Sequence, residues 1–158
     1  MELEPTEILL VEDEEHDIEL TLAALASHHL TNKVHVARDG VQALEYLANS
    51  EAKQTAGTGL LPRLILLDLN LPRIDGIAVL NKIKSNPATR IIPVVVLTSS
   101  TDDRDMMKSY LSGVNSYLQK PVKFDEFCGV VKEIGMYWLL MNKAPKGAFI
   151  PIKVAHAE

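Results

Sequence analysis

The chain reads as an α/β protein: one domain on a doubly wound, five-stranded parallel sheet. Three observations predict this. Short apolar runs such as Glu7–Val11, Leu64–Leu67 and Ile92–Thr98 suit strands covered on both faces. Stretches with apolar residues at helical spacing lie between them. The alternation of the two kinds of segment requires βαβ crossovers, hence parallel pairing.

The 158 residues suffice for one domain with a real core. A net charge of −5 and scattered basic residues argue against nucleic-acid binding, since nothing neutralises phosphates. Cys128 is the single cysteine, which excludes an intrachain disulfide. Met1, Glu2 and Glu4 carry the wrong charge for a secretory signal, and a reducing cytoplasm is the expected setting. No apolar run approaches the roughly 20 residues that span a bilayer.

The first strand, Glu7–Val11, ends in the acidic run Glu12–Glu15. Ile18, Leu22, Leu25 and Ala26 then predict a helix, which His28 and His29 would close at its negative end. Val34–Ala37 is a short strand, and Asp39-Gly40 opens a helix with Val41, Leu44 and Leu47 on one face. Ser50–Gly59 has no periodicity and reads as a loop. After the strand at Leu64 comes a helix over Gly76–Ser85, stopped by Pro87. Pro93 is tolerable at the start of the fourth strand. Asp102 and Asp103 are N-cap candidates for a helix through Tyr110. A fifth strand spans Val114–Gln119, and Phe124, Phe127, Val131, Ile134, Trp138 and Met141 form a long helical stripe. The domain is expected to cover residues 5–142, with 143–158 as a tail containing the extended-looking segment AFIPIKV.

The stretch LILLDLNLPRID carries the chemistry. An aspartate inside an apolar run is costly to bury, but tolerable at the strand's C-terminal end, where open α/β sheets bind their ligands. In a parallel sheet those ends share one edge. Glu12 and Asp13, Asp68, Thr98 and Lys120 therefore converge from four segments of chain. Glu12, Asp13 and Asp68 against Lys120 leave two uncompensated negative charges, which hard-oxygen coordination of Mg²⁺ would neutralise. The expected ligands are Asp13, Asp68 and the Asn70 backbone carbonyl, with Glu12 acting through a water. Asp68 is then placed as a nucleophile toward phosphorus, with Lys120 and the Thr98 hydroxyl on the phosphoryl oxygens. Glu14 and Asp17 read as solvated turn carboxylates.

These motifs, VED, LLDLNLPRIDG, LTSS and YLQKP, resemble the receiver domain of two-component response regulators over roughly residues 5–141. The resemblance implies a flavodoxin-like (βα)5 fold and Asp68 as phosphoacceptor. It further implies Glu12 and Asp13 as the acidic pair, Thr98 and Tyr117 as switch residues, and Lys120 as the phosphate-binding lysine. Lys120–Pro121 would be cis, as X–Pro bonds allow. VEDEEHD, LDLNLPRIDG, IPVVVLTSS and the late Tyr137-Trp138 pair are similar to small stand-alone regulators paired with phytochrome-type histidine kinases. Glu12 departs from the commoner Asp-Asp pair.

The partner so implied is a histidine kinase, since no histidine of this chain is placed as phosphodonor. Tyr137, Trp138, Leu139 and Leu140 make the last helix apolar nearly all round, which predicts a homodimer through that helix and the tail, unless the tail covers it. The chain is expected to turn over no metabolite. The competing reading is a small Mg²⁺-dependent phosphatase or phosphotransferase with an Asp nucleophile, similar to the haloacid dehalogenase type. Those enzymes want an Asp two residues past the nucleophile, where this chain has Asn70, and a substrate-covering cap. A flavin-binding reading fails because the acidic turn after the first strand would repel a phosphate.

Overall fold

The computed structural model describes residues 8–27 and 33–145. Its strands are β1 (Ile8–Val11), β2 (Val34–Ala37), β3 (Leu64–Leu67), β4 (Val94–Thr98) and β5 (Ser116–Gln119). They form one sheet in the order β2-β1-β3-β4-β5, every neighbouring pair parallel. Five helices alternate with them: α1 (Glu15–Ala26), α2 (Gly40–Thr55), α3 (Gly76–Ser85), α4 (Asp103–Leu111) and α5 (Phe124–Gly135). The expected architecture is present. Winding reverses at β1, so a crevice opens at the C-terminal tips of β1 and β3.

Strand periodicity divides the core into two layers. Leu9, Val11, Ile65, Leu67, Val94 and Val96 face one side, against Leu47, Val79, Leu80 and Ile83 of α2 and α3. Ile8, Leu10, Leu64, Leu66, Val95 and Leu97 face the other, against Ile18 and Leu25 of α1 and Phe127, Val131 and Ile134 of α5. Because the central strands are apolar on both sides, the sheet has no solvated face at its middle.

Several local expectations are corrected. The buried face of α1 is Ile18, Thr21, Ala24 and Leu25, while Leu22 and Ala26 point to solvent. Thr21 can be buried because its hydroxyl donates to the Asp17 carbonyl at 2.7 Å. Residues 50–55 continue α2 rather than forming a loop. Ala52, Lys53 and Gln54 are good helix formers, and nothing breaks the helix before Gly57, which takes φ +74°. The β4 ladder starts after Pro93, which has no N–H; the Val94 N–H donates to the Asn115 side chain at 2.9 Å. After Gly135 the last helix widens into a π segment, Met136–Met141. The change of pitch buries Leu139 in place of Trp138 and turns Met141 outward. The Lys120–Pro121 peptide is trans, the form X–Pro bonds prefer by about 0.5–1 kcal/mol. His28, His29 and the AFIPIKV segment lie outside the described residues.

Two glycine-dependent contacts hold the crevice. At Gly76 the backbone passes so close to β3 that a Cβ would lie 2.4 Å from the Asp68 carbonyl oxygen and 2.4 Å from Leu69 Cα. At Gly40 it would lie 2.7 Å from the Ile74 carbonyl oxygen. Both obstacles are backbone, which cannot step aside. Gly76→Ala should therefore cost about 3 kcal/mol, the upper range for overpacking, measured as a lower urea midpoint with an unchanged slope.

Candidate functional site

Glu12, Asp68 and Lys120 each sit one step beyond a strand whose ladder positions them. The Glu12 N–H donates to the Ala37 carbonyl at 3.0 Å, the Asp68 N–H to the Val11 carbonyl at 3.0 Å, and the Lys120 N–H to the Thr98 carbonyl at 2.7 Å. The backbone at these tips is thus fixed before any side chain is considered.

The side chains meet at Lys120. Its Nζ lies 2.6 Å from Glu12 Oε2, 2.8 Å from Asp68 Oδ2 and 2.8 Å from Asp17 Oδ2. An ammonium has three N–H donors, and all three are used. Glu12 and Asp68 are buried, and the Lys120 side chain is only 9% exposed. Asp68 Oδ1 accepts the Asn70 N–H at 3.1 Å, and Glu12 Oε1 accepts the Glu14 N–H at 3.1 Å. Burial alone would lower the Lys120 pKa, but hydrogen bonds to Asp17, Asp68 and Glu12 outweigh it and hold the group above its usual value. Glu12 is pushed up to about 7, by burial first and by the Asp68 charge second.

Asp13 is exposed, yet carboxylate oxygens of Glu12, Asp13 and Asp68 all lie within 4.8 Å of one another. With Asp17 there are four carboxylates around one ammonium, a local excess of negative charge that a divalent cation would relieve. Hard oxygen donors of this kind fit Mg²⁺. Asn70, exposed at the rim, starts the loop that returns through the Gly76 N–H to the Leu69 carbonyl at 2.9 Å.

Thr98 and Tyr117 are not among the side chains that Lys120 binds. The Thr98 hydroxyl is fully buried and accepts the Ser100 N–H at 3.2 Å. Ser100 in turn donates to Asp105 Oδ2 at 2.7 Å, tying the loop after β4 to α4. The Tyr117 hydroxyl is enclosed without a well-formed hydrogen bond, and burial together with Asp105 raises its pKa. Asp17 corrects the sequence reading: it is a Lys120 partner, not a solvated turn carboxylate. An acidic residue in the first turn of a helix is common, so the sequence carried no distinct signal for it.

A reversed-winding parallel sheet whose crevice gathers an acidic pair, a buried aspartate and a lysine defines a receiver-type signalling domain. The chain belongs to the response regulator receiver domain family, which matches residues 8–132. It is 44% identical over 142 residues to the probable methanogenesis regulatory protein FilR2 of Methanothrix harundinacea, covering 90% of this chain and 89% of that protein. It is 39% identical to response regulator Rcp1 of Synechocystis, over 85% of this chain and 90% of that protein. The Mn²⁺-bound form of Rcp1 superimposes with a TM-score of 0.79, at 38% identity, covering 89% of this chain and 99% of that one. The phosphorylated cyanobacterial phytochrome response regulator RcpA gives a TM-score of 0.81 at 39% identity, over 90% of this chain and 99% of that one. No helix among the described residues is long and apolar enough to cross a membrane.

Lys120→Met would leave Glu12 and Asp68 buried without their counter-charge. It should destabilise the metal-free protein by about 3 kcal/mol in urea unfolding at neutral pH.

Proposed function

We propose that Asp68 accepts a phosphoryl group from a phosphohistidine of a partner histidine kinase, in a Mg²⁺-dependent relay. The observation that carries this is the Lys120–Asp68 contact inside the acidic crevice. An Asp68 oxygen attacks phosphorus, and the P–N bond of the donor's protonated phosphoimidazole breaks, its electron pair leaving with the imidazole. Lys120 neutralises charge on the transferring group, and the Thr98 hydroxyl, whose oxygen accepts the Ser100 N–H, keeps its own proton to donate to a phosphoryl oxygen. Mg²⁺, held by Asp13, Asp68 and the Asn70 carbonyl with Glu12 beside it, would supply further charge neutralisation. Movement of Thr98 frees the loop bearing Ser100 and lets the enclosed Tyr117 ring respond, which changes the surface around α4.

Output is by protein contact. The chain matches, over nearly their whole lengths, relatives named as phytochrome response regulators, which supports a phytochrome-type kinase as partner and a cytoplasmic setting. Met136, Tyr137, Leu140 and Met141 are exposed beyond α5, which supports a homodimer through that end and the following tail. The domain then comprises residues 5–142, with 143–158 as a dimerisation arm. Nothing favours an Asp-nucleophile phosphatase: at the position of its general acid stands Asn70, whose N–H holds Asp68.

With Mg²⁺ and acetyl phosphate, the parent protein should gain one phosphoryl group by intact-mass measurement, and Asp68→Asn none. Equal incorporation by Asp68→Asn would overturn the assignment. Light scattering should show a dimer that weakens when residues 143–158 are removed; an unchanged dimer would exclude the arm.

A further inference from the structure

We propose that Asp17 is a positioning residue for Lys120, the tether that keeps the ammonium at the crevice while its other two partners change. The inference rests on Asp68 being the phosphoacceptor. Lys120 leaves the tip of β5, which lies two strands from β3 and three strands from β1. Its side chain must reach past β4 to meet Asp68 on β3 and Glu12 on β1. A four-carbon stem making that reach has a freely swinging head unless something fixes it.

Two of its three anchors cannot do so through the reaction. Asp68 is the group that would be modified, and Glu12 also belongs to the carboxylate cluster that could hold a cation. Asp17 has neither duty. It sits in the first turn of α1, where the helix ends its exposed N–H groups and favours an anion. The next residue, Ile18, is 2% exposed and locks that turn into the core against α5. Asp17 Oδ2 is therefore a fixed acceptor, 2.8 Å from Nζ, on a rigid element. With the ammonium tethered there, charge neutralisation awaits the incoming phosphoryl group instead of being assembled during transfer.

The test uses Asp17→Ala and Asp17→Asn in the full chain. Asn keeps an acceptor oxygen at the same reach. In the metal-free protein, the desolvated, triply bonded Lys120 ammonium should give a slowly exchanging ¹H–¹⁵N signal by NMR. That signal is expected in the parent, lost in Asp17→Ala and regained in Asp17→Asn. Phosphorylation of Asp68 by acetyl phosphate with Mg²⁺ should slow about tenfold or more in Asp17→Ala and return close to the parent rate in Asp17→Asn. An unaltered ammonium signal in Asp17→Ala would overturn the tether. A lost signal with an unaltered rate would equally overturn its role in the reaction. If the parent itself gains no phosphoryl group, the phosphoacceptor reading fails, and the ammonium signal still decides whether Asp17 holds Lys120.

Discussion

The structure depends on one buried ammonium. Lys120 makes charge-assisted bonds to three carboxylates in a place where none of these groups could be buried unpaired. The arrangement brings the tips of β1, β3 and β5 and the first turn of α1 to one point. Removing any of these elements would expose the others to uncompensated charge. The crevice thus holds an excess of negative charge that its one ammonium offsets only in part.

The rest of the fold serves that point. Central strands that are apolar on both faces fix the sheet, the sheet fixes where its ladders end, and the ladders fix the backbone of residues 12, 68 and 120. Gly40 and Gly76 let the neighbouring turns close against it. Farther out, Thr98, Ser100 and Asp105 link the same edge of the sheet to α4.

Strand and helix order were legible because apolar runs and helical spacing are strong signals here, and Asp68 stood out as a charge inside such a run. Residues 12, 68 and 120 could be brought together from topology alone, since parallel strands share an edge. What the sequence did not show has physical reasons. Asp17 looks like any acidic residue of a first turn; only the direction of Lys120 reveals its partner. The helix over residues 50–55 was hidden because a stretch with no large apolar residue gives no amphipathic signal, although nothing there breaks a helix. The outward turn of Met141 follows from a π segment that spacing at 3.6 residues cannot express. Leu22 looked like part of the buried face of α1, but Thr21 takes that place by satisfying its hydroxyl within the helix.

The central claim is that strand tips converge to bind a divalent cation beside a lysine-paired aspartate. Anomalous scattering from crystals soaked in Mn²⁺ tests it most directly. The account predicts a peak bounded by Glu12, Asp13 and Asp68, with Lys120 still within hydrogen-bonding distance of Asp68. A crystal with no peak there, or with Lys120 turned out to solvent, would contradict it.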